Sequence, residues 1–96
     1  MLDFLKTATA LGRLLNEKNR QYGNSYIIVP DILRILYPTG IKPDEYGDAS
    51  TIVRILDKIS RRAAGNSDAA EDWRDIGGYG VVKLAEILEE KSNEKS

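Results

Sequence analysis

Apolar residues recur at intervals of three and four in one segment of the chain: Ile52, Ile55, Leu56, Ile59 and Ala63. Because an α-helix has about 3.6 residues per turn, this spacing places them all on one face. A second set with the same spacing, the charged stripe, consists of Arg54, Asp57, Lys58 and Arg61. We therefore expect a helix that buries its apolar face, and the remaining chain has to supply the partners for that face.

Three further helices are predicted around this segment. Leucine and alanine fall near helical spacing from Leu2 to about Asn19. This helix is predicted to end between Asn19 and Asn24, where two asparagines and a glycine favour a helix end. A second helix is predicted between Ser25 and Tyr37, with Pro30 in a first helical turn. Asp68 is placed to cap a fourth helix, and the charged residues 89–96 are predicted to fray. Four helices joined by short or medium loops predict an all-α fold, an antiparallel bundle.

The residue types that the chain lacks restrict its chemistry. It contains neither cysteine nor histidine. Disulfide frameworks, thiol-ligated zinc and nucleophilic catalysis by serine or cysteine with histidine are therefore excluded. The remaining catalytic groups are carboxylates, amines, guanidinium groups, phenols and hydroxyls. In a small domain these groups most often act around Mg²⁺ or Mn²⁺ held by oxygen ligands.

Length and charge set expectations about location and partners. The 96 residues form one domain, 1–96, and a chain this short favours a homo-oligomer, a dimer or a tetramer. Its formal net charge of -1 argues against a broad nucleic-acid interface. The first residues resemble neither a signal peptide nor a membrane span, so a cytoplasmic location without a membrane partner is expected.

Two carboxylates and three glycines stand together in the predicted fourth helix. Asp72 and Asp75 are one turn apart and project side by side, as two ligands of one hard cation must. The alternative is a charged first turn that the helix dipole favours without any function. Gly77, Gly78 and Gly80 follow at once, and glycine costs about 1 kcal/mol relative to alanine inside a helix. They predict close approach of a neighbouring helix or a ligand.

Two other groups of residues also have both a functional and a purely structural interpretation. By default the charged stripe is a solvated face with intrahelical ion pairs. If it faces the fourth helix, Asp57 adds a third carboxylate to a cation site, and the basic residues provide counter-charges for polyphosphate. The turn Tyr22-Gly23-Asn24-Ser25 offers an aromatic face, a flexible backbone and polar groups to a nucleobase or sugar. Its alternative interpretation is a simple helix-ending turn.

Segments 18–24, 52–62 and 72–80, taken in order, resemble the small MazG-like domains common in phages and bacteria. These belong to the all-α nucleoside triphosphate pyrophosphohydrolase superfamily. The resemblance covers roughly residues 15–87, and its most specific parts are the Tyr-Gly turn and the run Asp-x-x-Asp-Ile-Gly-Gly-Tyr. In that superfamily, acids from two helices form a cage that holds magnesium while a nucleotide is hydrolysed between its α and β phosphates.

The resemblance implies roles for individual residues. The metal ligands would be Asp57, Asp72 and Asp75, and the catalytic groups that orient the attacking water would be Asp75 and Glu71. The implied nucleotide-binding residues are Lys18, Tyr22, Gly23, Asn24, Arg54, Lys58 and Arg61. The chain departs from the family pattern, because an aspartate replaces one glutamate and basic residues occupy third-helix positions that carry acids in the family.

Three functions are compatible with these residues. The first is Mg²⁺-dependent hydrolysis of a nucleoside triphosphate to a monophosphate and pyrophosphate. The second is capture of a nucleotide or a nucleotide-derived signal without cleavage, which the basic residues in place of cage acids favour. The third is a helical protein-interaction module, in which the carboxylates of the fourth helix are only N-terminal charges.

Overall fold

The computed structural model describes residues 1–65 and 67–95, except for the side chains of residues 21, 22 and 95. It contains the helices α1 (Phe4–Tyr22), α2 (Ser25–Leu36), α3 (Tyr46–Ala64) and α4 (Ala69–Lys95), and a short 3-10 helix, Pro43–Glu45, leads into α3. The all-α prediction is confirmed, since the described ranges contain no strand. No helix in those ranges has both the length and the hydropathy that crossing a bilayer requires.

Capping residues fix the ends of these helices. The Asp68 carboxylate accepts hydrogen bonds from the backbone N–H groups of Ala70 and Glu71, at 2.9 and 3.3 Å, and so caps α4 as the sequence predicts. Gly23 and Gly65 follow α1 and α3 in the left-handed conformation, with φ of 64° and 77°. Glycine adopts this conformation without steric cost, which explains why these helices end there.

The boundaries of the helices agree with the predictions at one point and differ at two. α1 ends at Tyr22, between Asn19 and Asn24, where the sequence predicts its end. Pro30 lies inside α2, not in its first turn, because the helix begins at Ser25. α4 is helical to Lys95, through the stretch for which the sequence predicts fraying. Glutamate and lysine dominate that stretch, and both are good helix formers.

α3 is the centre of the fold, because α1, α2 and α4 each pack against it. Ion pairs show that α3 and α4 run antiparallel. Asp48, at the start of α3, lies 3.0 Å from Lys83 in the middle of α4. Lys58, towards the end of α3, lies 2.8 Å from Asp75 near the start of α4. The charged stripe of α3 therefore faces the carboxylates of α4. The default expectation of a solvated face is wrong, and the alternative expectation that the stripe faces the fourth helix agrees with the structure.

Gly23 allows the turn between α1 and α2 to approach α3 closely. A Cβ atom at this position would lie 2.9 Å from the carbonyl oxygen of Ser60 and 3.0 Å from Cβ of Ala64. The hydroxyl of the buried Ser60 donates a hydrogen bond to the Gly23 carbonyl at 3.2 Å. The turn is thus bound to α3 through a contact that requires glycine.

The glycines of α4 lie on open surface. A Cβ atom at Gly77, Gly78 or Gly80 would meet nothing within 4 Å. The prediction that they let α4 pack closely on another helix is therefore wrong for the described helices of the same chain. Each glycine weakens the helix by about 0.5–1 kcal/mol relative to alanine, and in the described part of the chain no close contact at these positions requires glycine.

The fold is extended, and its core is small. Among the side chains that the structure describes, the buried ones are Val29, Ala49, Ser60 and Asp72. The chain exposes 7653 Å², whereas a compact chain of 10.7 kDa exposes about 5,500 Å². Its radius of gyration is 17.9 Å, compared with about 12.5 Å for a compact domain of this length. The free ends of α1 and α4 extend beyond the small core and are exposed throughout.

Candidate functional site

The charged stripe of α3 lines a pocket of about 210 Å³, which we name the basic pocket. Its walls come from α2, α3 and α4 and consist of Ser25, Arg54, Asp57, Lys58, Arg61 and Tyr79. Residues three and four apart share a helix face, so the four charged residues of α3 meet at this pocket as their spacing predicts. The predicted phosphate-binding residues of the third helix are therefore brought together.

Lys58 is a fixed positive charge in the wall of the basic pocket. Its Nζ lies 2.8 Å from Oδ2 of Asp75, and its side chain is 17% exposed. The hydrogen bond that Lys58 donates to Asp75 raises the pKa of Lys58 above its ordinary value of 10.5, although burial and the neighbouring Arg61 act in the opposite direction. Lys58 is therefore charged at neutral pH, and its charge is lost only in strongly alkaline solution.

Asp72 lies at the centre of a buried charge cluster next to the pocket. Its side chain is 1% exposed and accepts a hydrogen bond from the hydroxyl of Ser67. Nη1 of Arg61 and Nη1 of Arg62 lie 3.8 and 3.7 Å from its two oxygens. Arg62 also donates to the carbonyl of Ser67 at 3.1 Å. A buried carboxylate needs such compensation, and the cluster joins the end of α3 to the start of α4.

The carboxylates predicted to act on a metal have separate surroundings. Asp57 is half-buried in the wall of the basic pocket, Asp75 is bonded to Lys58, and Asp72 is enclosed by arginines. Glu71 is exposed on the first turn of α4 and does not line the pocket. In the part of the chain that the structure describes, no group of three carboxylates lies close enough to hold a metal ion. The three aspartates thus do not form one cage there.

A second pocket adjoins the basic pocket at Ser25, which lines both. This α1–α2 pocket has a volume of about 430 Å³ and is lined by Leu15, Asn16, Lys18, Asn19, Ser25 and Tyr26. It combines one cation, two amide side chains and an aromatic ring. The family resemblance implies that Lys18 is a nucleotide-binding residue. It lines the α1–α2 pocket and not the basic pocket that the charged stripe lines.

In the turn that is predicted to contact a nucleotide, Gly23 has a structural role. Gly23 packs against α3, as described above. Asn24 is exposed, and its side-chain oxygen accepts a hydrogen bond from the amide of Asn19. The side chain of Tyr22 lies outside the described residues. The helix-ending interpretation thus accounts for Gly23, while neither Gly23 nor Asn24 lines the basic pocket or the α1–α2 pocket.

Six residues that line these pockets were not among the predicted site residues: Leu15, Asn16, Asn19, Ser25, Tyr26 and Tyr79. Ser25 and Tyr26 form the first turn of α2, and Tyr79 projects from α4. Tyr79 follows Asp75 by four positions, so helical spacing alone places both on one face, and that signal identifies it. Ser25 is the last residue of the turn whose polar groups the sequence offers to a nucleobase or sugar. Tyr26 is identified only through the packing of α2, because its sequence neighbours indicate no more than a turn.

Comparison with known proteins gives no match: no protein-family model, no curated protein and no solved structure matches this chain. The interpretation of the site accordingly depends on its own geometry and chemistry.

Proposed function

We propose that this chain binds a nucleotide or a nucleotide-derived small molecule and that its phosphates occupy the basic pocket. The observation that carries the proposal is the meeting of Arg54, Lys58 and Arg61 around one pocket of about 210 Å³. The chain as a whole is nearly neutral, with a net charge of -1, so this concentration of cations is local. Guanidinium and ammonium groups bind phosphate oxygens through charge-assisted hydrogen bonds.

Arg54 is the cation that is most available to a ligand. Lys58 and Arg61 are already ion-paired with Asp75 and Asp72, which fixes their positions. Arg54 is exposed at the pocket and, among the described residues, has no ion-pair partner. A phosphate group therefore gains a new charge pair with Arg54 and meets two cations whose geometry is already set.

The α1–α2 pocket suits the nucleoside part of the same ligand. The exposed ring of Tyr26 provides a stacking surface, and the amides of Asn16 and Asn19 provide hydrogen-bonding groups. Lys18 adds a cation at the same place. Because Ser25 borders both pockets, one molecule can place its phosphates in the basic pocket and its base or sugar beside Tyr26.

Hydrolysis of the bound nucleotide is the second candidate function, and Asp57 favours it. This half-buried carboxylate lines the basic pocket together with the cations. Mg²⁺ often binds through one or two carboxylates and the phosphates of its substrate, so Asp57 and Asp75 suffice as protein ligands. The metal supplies charge neutralisation at the phosphates and lowers the pKa of an attacking water. Membership of the MazG-like family is part of this proposal and rests on the motif resemblance.

The test compares binding with turnover. Purified protein is titrated calorimetrically with a panel of nucleoside mono-, di- and triphosphates, in Mg²⁺ and in chelator, and released pyrophosphate is measured in parallel. We expect Arg54→Ala to weaken binding about 10- to 100-fold, because a hydrogen bond to a charged group contributes about 1.5–3 kcal/mol. Arg34→Ala is the matched control, since Arg34 is an exposed arginine paired with Asp31 on α2.

The outcomes separate the two candidates. Binding that persists in chelator, with the ligand recovered intact, supports capture alone. Release of pyrophosphate that requires Mg²⁺ and is abolished by Asp57→Asn supports hydrolysis. If no nucleotide of the panel binds, or if Arg54→Ala and Arg34→Ala behave alike, nucleotide recognition at the basic pocket is refuted.

We also propose a homo-oligomeric state and a cytoplasmic location for this protein. A homo-oligomeric state is supported by the large exposed surface of one chain, 7653 Å². A cytoplasmic location and a small molecule, not a nucleic acid, as the ligand remain predictions from composition and charge.

A further inference from the structure

α4 carries an apolar stripe on the side that faces away from α3. Its residues follow at intervals of four, four, three and four, which keeps them on one helix face: Trp73, Gly77, Val81, Leu84 and Leu88. The four large side chains are 60%, 68%, 57% and 55% exposed, in chain order. We name this surface the outer stripe. The opposite side of α4 meets α3 through the ion pairs of Asp75 and Lys83, and Tyr79 and Ile87 line pockets there together with α3 residues.

An ordinary surface helix turns its apolar face to the core and its charged face to water, whereas α4 also has a second apolar side that faces solvent. The outer stripe is also shaped for a close neighbour. Gly77 lies within it and Gly80 lies at its edge, and a Cβ atom at either position would meet nothing within 4 Å. A shallow recess thus lies beside the bulky Trp73 and Val81.

The exposed area matches the requirement of a stable dimer. The chain exposes 7653 Å², about 2,150 Å² more than the roughly 5,500 Å² expected for its mass. This excess also includes the projecting ends of α1 and α4, so an interface on α4 does not bury all of it. Burial of about half of it on two chains removes about 2,150 Å² from water, which reaches the range of about 2,000–5,000 Å² that obligate homodimers bury. The excess is therefore large enough for a permanent interface.

We propose that a second copy of this chain covers the outer stripe with its own α4, across a two-fold axis. A two-fold interface brings the same surface of both subunits together, and the stripe suits this because it contains both bulky side chains and a glycine recess. No acidic or basic residue interrupts the stripe positions, so two copies meet without like-charge repulsion. The outer stripe is thus the surface through which the proposed homo-oligomer forms, and this association does not require a ligand in the basic pocket.

The first test compares two neighbouring valines on α4. Val81 lies in the outer stripe, whereas Val82 lies outside it and is also exposed, at 55%. In sedimentation equilibrium we expect the unmodified protein at twice its 10.7 kDa chain mass. Val81→Glu should raise the dissociation constant of the dimer at least about 100-fold, because it buries two unpaired carboxylates, while Val82→Glu should leave it within about threefold. A monomeric unmodified protein, or equal effects of the two variants, overturns the proposal.

The second test holds even if Val81→Glu fails to fold, which circular dichroism reveals. The chain contains no cysteine, so single cysteines can be introduced as Gly77→Cys, Val81→Cys, Leu84→Cys and, as the control, Val82→Cys. We expect mild oxidation to cross-link two copies through at least one stripe position and not through position 82. Cross-linking that is equal at position 82, or that is absent at every stripe position, overturns the proposal. Nucleotide titration of the Val82→Glu dimer tests ligand binding separately.

Discussion

At the scale of single residues, Asp72 and Asp75 have different roles although the sequence presents them as a pair. Helical spacing correctly places both on the face of α4 that meets α3. It does not reveal that Asp72 is enclosed by Arg61, Arg62 and Ser67, because those partners are brought there by the turn between two helices. Burial therefore makes Asp72 a structural residue and leaves Asp75 beside the pocket.

We expect Asp72→Ala to destabilise the fold by about 3 kcal/mol, since removal of one partner of a buried ion cluster leaves the remaining charges uncompensated. Chemical denaturation in chelator measures this loss. The control is Asp31→Ala, which breaks an exposed pair with Arg34 and should change the stability by less than about 1 kcal/mol. A loss for Asp72→Ala that appears only when Mg²⁺ is present would instead assign Asp72 to a metal site.

At the scale of helices, the sequence predicts the elements well and their packing partners poorly. Apolar spacing and the cap at Asp68 are local signals, and both α3 and the start of α4 agree with them. The glycines of α4 predict a close neighbour, but a pattern within one helix does not identify which helix that neighbour belongs to. The structure leaves those glycines uncovered by the described part of the same chain.

Two glycine substitutions should have opposite effects on stability. Gly78 lies outside the outer stripe and has open space around a Cβ atom, so Gly78→Ala should stabilise the protein by about 0.5–1 kcal/mol through helix propensity. Gly23→Ala should destabilise it by about 1–3 kcal/mol, because φ is 64° there and a Cβ atom would meet Ser60 at 2.9 Å. Urea unfolding of both variants measures the difference. Equal effects would contradict the assigned roles.

At the scale of the whole molecule, the small core implies that stability depends on assembly. Only a few described side chains are buried, while 7653 Å² remain exposed. Because association stabilises the native state by mass action, the melting temperature should rise by several degrees between about 1 and 100 μM protein. Differential scanning calorimetry at several concentrations measures this rise. We expect the rise to vanish in a monomeric outer-stripe variant, and a melting temperature independent of concentration in the unmodified protein would contradict the dimer.

The central position of α3 also affects how the native protein unfolds locally. Each of the other helices packs mainly on α3 and only weakly, if at all, on the others. One of them can therefore detach while the rest of the protein stays in place, so local openings are largely independent events. Hydrogen exchange with solvent is then fastest at the projecting ends of α1 and α4 and slowest in α3, and the charged stripe stays ordered while the helices around it open.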